Sequence, residues 1–165
     1  MAATSAPAQI GLVGLAVMGK NLALNIAEKG FPISVYNRTT SKVDEALERA
    51  HKEGNLPMIG HYSPRDFVLS IRRPRSIIIL VKAGNPVDQT IAALSDFMDY
   101  GDTIIDGGNE WYENTERRIA AAESRGLLYL GMGVSGGEDG ARHGPSLMPG
   151  GSFQVALESF VSVHA

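Results

Sequence analysis

Apolar runs that alternate with amphipathic stretches constrain this 165-residue chain more than any other feature. The runs AQIGLVG (8–14), PISVYN (32–37), SIIILVKAG (76–84), DTIIDGGN (102–109) and LLYLGMGVSGG (127–137) are short and read as strands. SIIILVKAG is almost wholly apolar and rich in β-branched residues, as a strand buried on both faces must be. Helical patterns fill the gaps at 17–30, 39–54, 63–73, 85–98 and 112–126. The first puts Met18, Leu22 and Ile26 on one face, and Gly30 and Gly54 suit the ends of the first two. Ser63-Pro64 and Asn85-Pro86 each combine a capping residue with a proline at a helix start. Strands that alternate with helices need crossover connections, so the strands run parallel. The expected fold is α/β, a Rossmann-like doubly wound and mostly parallel sheet in a single domain. That domain spans 8–152, between a flexible N-terminus (1–7) and a divergent tail (153–165).

Composition excludes several kinds of chemistry. Hydrophobic residues make up 44% and charged residues 20%, which is ordinary for a globular domain. A net charge of −3 gives no bulk electrostatic reason to expect nucleic acid or a membrane surface as partner. With no cysteine, disulfides, thiolate catalysis and Cys-based zinc sites are excluded. His51, His61, His143 and His164 lack ligand-like spacing, so no metal site is expected. No apolar run is long enough to cross a bilayer. The leader MAATSAPAQ has neither the basic region nor the apolar core of a signal peptide, and it is short for a transit peptide. The expected location is cytoplasmic, with a plastid not excluded.

The first candidate site is the turn after the first strand. Against G-x-G-x-x-G it reads Gly14, Leu15, Ala16, Val17, Met18, Gly19, with alanine in the middle glycine position. The first glycine permits the tight turn, and the third allows close helix–strand packing. The middle position lets backbone approach a pyrophosphate, and a methyl group is the smallest possible intrusion there. Amides at the helix start then face the anion. The competing reading is a packing turn with no ligand. The placement of the loop between a strand and a helix argues for the functional one. The residues after the second strand choose the cofactor. An NAD-selecting domain usually carries a carboxylate there, for the ribose 2′-hydroxyl. Here the strand runs into Asn37, Arg38 and Thr39. Arg38 is suited to a 2′-phosphate, with Asn37 and Thr39 adding hydrogen bonds, so NADP is favoured over NAD.

Five segments carry a more specific signal: GLAVMGKNLALN, YNRTTSKVDE, IILVKAG, IIDGGNEWYENTERR and GVSGGEDGARHGPSLMPGG. Together they closely resemble the N-terminal domain of 6-phosphogluconate dehydrogenase over residues 8–152, most nearly in its plant versions. The resemblance implies that Gly14 to Gly19 hold the NADP pyrophosphate, and that Asn37, Arg38 and Thr39 hold the 2′-phosphate. It further implies that Val81, Lys82 and Ala83 line the cofactor, and that Asn109 touches both nicotinamide and substrate. Ser135, Gly136 and Gly137 would contact the sugar acid. Two alternatives stay open: Lys82 as a catalytic base, and the SGG glycines as a strand bulge. Trp111 and Tyr112 read as packing at a helix start.

The family reaction is the oxidative decarboxylation of 6-phosphogluconate to ribulose 5-phosphate with NADP reduction, a step of the pentose phosphate pathway. By the same resemblance, a lysine base and a glutamic acid lie later in the chain, around an HNGIEYGD-type motif. A helical domain there completes the phosphate pocket and the homodimer. The motif does not occur in this sequence. No catalytic residue is assigned, the 6-phosphogluconate site is expected to be partial, and the chain is expected to be truncated and inactive alone. A free-standing NADP-binding module and another β-hydroxyacid dehydrogenase relative are the alternatives.

Overall fold

The structure, a computed structural model, describes residues 7–151. Residues 1–6 of the expected flexible N-terminus and all of the expected tail lie outside the described residues. The five expected strands form as β1 (Ile10–Val13), β2 (Ile33–Tyr36), β4 (Ser76–Ile79), β5 (Thr103–Asp106) and β6 (Leu128–Ser135). The five expected helices form as α1 (Val17–Glu28), α2 (Ser41–Lys52), α3 (Pro64–Leu69), α4 (Asn85–Ser95) and α5 (Tyr112–Glu123). Three further elements are present: β3 (Met58–His61), α6 (Gly137–His143) and β7 (Ser146–Gly150).

The sheet order is β3-β2-β1-β4-β5-β6-β7. The first six strands are parallel and β7 runs antiparallel to β6. Strand order reverses direction between β1 and β4, which opens a crevice at the carboxyl ends of those two strands. Successive side chains point to opposite faces of the sheet. Leu12, Ile78, Ile105 and Leu130 therefore pack toward α1, α2 and α6. Val13, Ile77, Ile79 and Ile104 pack toward α3, α4 and α5, around the fully buried Phe67. Burying each such aliphatic side chain contributes about 1.5–3 kcal/mol, and Phe67→Ala would cost about 3–5 kcal/mol.

The differences from the expected elements have local causes. SIIILVKAG forms strand only as far as Ile79, and residues 80–84 leave the sheet as a loop over its carboxyl edge. The apolar run overstates the strand because Leu80 still packs on the core after ladder pairing ends. The helix expected at 63–73 stops at Leu69, started by the Ser63 Oγ that accepts from the Asp66 amide at 3.1 Å. β3 was hidden because all four of its residues are only half-buried, as befits an edge strand. At the opposite edge, β7 is exposed throughout and contains Pro149, which an edge strand tolerates.

Candidate dinucleotide site

The glycine turn is built by close contacts that admit no side chain at either end. Gly14 has φ +99°, and a Cβ there would overlap the Leu80 carbonyl oxygen, with Val81 Cγ1 at 2.9 Å. A Cβ on Gly19 would run into the Gly14 carbonyl oxygen, so α1 packs directly against the end of β1. Between them Ala16 is the N-cap of α1, with no side-chain cap and no acidic residue in the first turn. Ala16 and Val17 are exposed, Met18 is half-buried, and the first amides of an α-helix have no partner within the helix. Leu15 differs from its neighbours: its side chain is fully buried, and its amide donates to Asn37 Oδ1 at 2.9 Å. Leu15 is thus part of the turn's foundation.

That bond ties the β1–α1 turn to the β2–α2 loop. Asn37 Nδ2 donates to the Thr39 carbonyl at 3.0 Å, so the Asn37 side chain braces both loops. Arg38 and Thr39 stand exposed beside it. Among the described residues Arg38 makes neither an ion pair nor a side-chain hydrogen bond. A cavity of about 250 Å³ connects them, lined by Gly14, Tyr36, Asn37, Arg38, Thr39 and Val81 on one side. Pro86, Gln89, Thr90 and Ala93 of α4 line the other. The structure therefore brings Gly14, Asn37, Arg38, Thr39 and Val81 around one cavity. Lys82, Ala83, Asn109, Ser135, Gly136 and Gly137 do not line it.

Those other residues follow the same carboxyl edge outward. Exposed Lys82 and half-buried Ala83 lie in the β4–α4 loop. Asn109 is exposed in the β5–α5 loop with φ +53°. Two strands of this edge are matched, with Asp106 of β5 opposite Gly131 of β6. β6 continues four residues further, to Ser135, or about 13 Å at the usual rise per residue. Ser135, Gly136 and Gly137 are exposed there, and Gly136 caps α6. The SGG pair is accordingly a strand-to-helix turn, not a bulge. Trp111 and Tyr112 do sit at a helix start, but they are not packed into the core. They are 61% and 57% exposed and lean on each other, with ring centroids 4.9 Å apart.

Beneath these loops lies a charge network that sequence reasoning did not single out. The side chain of Arg118, on α5, is 2% exposed. It donates to Glu110 Oε2 (2.6 Å), Asp88 (2.9 and 3.1 Å), the Gly84 carbonyl (2.9 Å) and Asp106 Oδ2 (3.3 Å). Burial pushes the Glu110 carboxyl up. Hydrogen bonds from Arg118, the Gly84 amide, Asn114 and the Trp111 amide outweigh that and hold it at about 2. The hydrogen bond from Arg118 comes first among the causes that lower Asp88. Tyr129 is pushed up, first by burial and then by donating to Asp106 Oδ2 at 2.5 Å. The missed signal was a pair of adjacent arginines in NTERR, of which Arg118 faces inward and Arg117 outward.

A second cavity, about 330 Å³ and mainly apolar, lies elsewhere. Gln9, Ile10 and Ser76, at the amino ends of β1 and β4, line it together with Leu22, Ile26 and Leu147. Ligands of open α/β sheets bind at the carboxyl ends of strands, so the smaller cavity is the candidate site. Among the described residues no group of three or more His, Asp or Glu side chains is placed to hold a metal ion.

A parallel sheet with a switch point, a glycine turn into a helix and a free cation after the second strand define a Rossmann-type dinucleotide-binding domain. A family model described as the NAD binding domain of 6-phosphogluconate dehydrogenase matches residues 9–161. The chain belongs to that family. It is 80% identical over 152 residues to the chloroplastic 6-phosphogluconate dehydrogenase, decarboxylating 2, of Spinacia oleracea, covering 92% of this chain and 28% of that one. To 6-phosphogluconate dehydrogenase, decarboxylating 2, of Arabidopsis thaliana it is 72% identical over 149 residues, covering 90% and 31%. The solved 6-phosphogluconate dehydrogenase of Plasmodium falciparum, studied with NADP+ and with 6-phosphogluconate, superposes with a TM-score of 0.86 at 50% identity. That match covers 93% of this chain and 32% of the other. The chain thus spans about a third or less of the length of these relatives.

Proposed function

We propose that this chain binds NADP in the cavity at the carboxyl edge, as the cofactor domain of a 6-phosphogluconate dehydrogenase. The observation that carries the reading is Arg38, an exposed cation without a partner among the described residues, on the wall of the cavity that begins at the glycine turn. The residues fit the cofactor. Gly14 and Gly19 let the turn close on Leu80 and let α1 start directly against β1, with no room for a Cβ at either, and the start of α1 is left without a side-chain cap. The backbone of 16–18 would hold the pyrophosphate, Arg38 and Thr39 the 2′-phosphate, and Asn37 would brace both loops. Pro86, Gln89 and Thr90 would flank the adenosine. Val81, Lys82, Ala83 and Asn109 would lie along the nicotinamide half, and Asn109 with Ser135 to Gly137 would form one wall of a 6-phosphogluconate site.

When bound, NADP supplies a hydride acceptor. The part of these residues is to orient the two reactants and exclude water between them. Hydride transfer from the carbon that bears the substrate hydroxyl also needs a positioned base to take the hydroxyl proton. Lys82 is assigned to the cofactor instead, and we propose that the 165-residue chain does not turn over alone. By the same resemblance, the homodimer would rest on a helical domain outside the segment matched here. For location we hold to the cytoplasm, with a plastid as the reading that the chloroplastic relative favours.

The test is a fluorescence titration with NADPH paired with a steady-state assay on NADP and 6-phosphogluconate. The expected result is saturable binding with no turnover above background. Absence of binding would overturn the cofactor reading. Turnover that is lost in Lys82→Ala would overturn both the inactivity and the role given to Lys82.

A further inference from the structure

We propose that Arg118 and Glu110 are positioning residues for the nicotinamide half of the cofactor, acting by clamping the loop at 81–84 to the loop that carries Asn109. The inference rests on the NADP reading above. Gly84 ends the first loop and is the N-cap of α4. Its amide donates to Glu110 Oε2 at 2.7 Å, while its carbonyl accepts from Arg118 at 2.9 Å. The peptide groups on both sides of one residue are thus held by two side chains that are themselves paired at 2.6 Å. Glu110 directly follows Asn109, and its second oxygen accepts from the Trp111 amide and from Asn114. The circuit therefore closes on the backbone just after Glu110 and on the side chain of Asn114, next to Asn109 in its left-handed conformation.

Stability alone is a poor explanation for this arrangement. Arg118 faces Glu110 (7% exposed), Asp106 (1%) and Asp88 (36%), and only Asp88 has a second guanidinium, that of exposed Arg117, so three carboxylates still outnumber two cations. Buried ion pairs contribute little over well-packed apolar residues of the same volume. They do impose direction: the planar fork of arginine fixes several acceptors at once, which a lysine point charge does not. What this fork fixes is the relation between two loops that flank one half of a dinucleotide. Neither Arg118 nor Glu110 lines the cavity beside Arg38, and of the clamped loop only Val81 does, so the adenosine half meets the clamp only at its margin.

The experiment compares NADPH with adenosine 2′,5′-bisphosphate, which keeps the adenosine half and lacks the nicotinamide. Binding to the full 165-residue chain is measured for wild type, Glu110→Gln and Asp88→Asn, with melting curves alongside. Glu110→Gln is expected to weaken NADPH about tenfold and the bisphosphate less than about twofold, a loss in line with one charge-assisted hydrogen bond. Asp88→Asn, at the more exposed end of the network, is expected to give the same split at about threefold. It carries the test if Glu110→Gln does not fold. Equal weakening of both ligands, or no change in either, would overturn the clamp and leave the network a structural one. A wild type that binds neither ligand would defeat the NADP reading, and the inference with it.

Discussion

The loop after β2 and the helix after β5 each carry an arginine, in opposite circumstances. Arg38 is exposed and has no ion-pair partner among the described residues. Arg118 is buried among three carboxylates and a carbonyl, its donors committed to protein. A guanidinium that is fully satisfied can position what surrounds it but has little left for a ligand. One that is hydrated and unpaired keeps its capacity to meet a phosphate, and costs the fold little. Of these two, the cation proposed to meet a phosphate is the one left unpaired, and the cation of the scaffold is the one whose donors are closed.

The two roles come apart under mutation. The largest effect is expected where the loops share a floor. Gly14→Val would force a β-branched residue to φ +99° and onto the Leu80 carbonyl. NADPH binding should vanish and the melting temperature should fall. A folded Gly14→Val chain that binds normally would place the pyrophosphate elsewhere. Next comes Arg118→Ala, which leaves buried Glu110 and Asp106 without their counter-charge. About 3–5 kcal/mol of stability should be lost, measured by urea unfolding. Arg38→Ala should stay within about 0.5 kcal/mol of wild type in the same experiment. Similar losses for both would erase the distinction between them.

A smaller effect tests the network by pH. Glu110 is held at about 2 in the folded chain, against an ordinary value of 4.5. A carboxyl depressed in the folded state contributes stability above its unfolded value, and loses it as pH falls toward its folded one. The stability gap between wild type and Glu110→Gln should be constant above pH 4.5 and narrow between 4.5 and about 2. A gap that does not change over that window would mean that Glu110 is not held by these partners.

Much of the fold was legible because its carriers are local. Ile77, Ile78 and Ile79 announce a strand buried on both faces, and Ser63-Pro64 announces a helix start. β3 and β7 were not legible, since edge strands bury too little to leave an apolar run. Arg38 was legible from its place after the second strand of a glycine-turn unit. Arg118 was not: its partners lie 8 to 34 residues away and meet it only when α4 and α5 pack on the same face of the sheet. Nothing in NTERR alone says which arginine turns inward. The sequence could likewise suggest Asn37 as a phosphate ligand, but only the fold shows its side-chain Oδ1 accepting from the Leu15 amide.

In the proposed reading Arg38, unpaired among the described residues, makes this site choose NADP over NAD. Calorimetric titration of wild type and Arg38→Ala with NADPH and NADH tests it directly. Loss of one charge-assisted pair to the 2′-phosphate is worth about 1.5–3 kcal/mol. Wild type should therefore prefer NADPH by about ten- to a hundredfold, and Arg38→Ala should bind the two almost equally while NADH affinity stays unchanged. Equal affinities in wild type, or a preference that survives in Arg38→Ala, would contradict the claim.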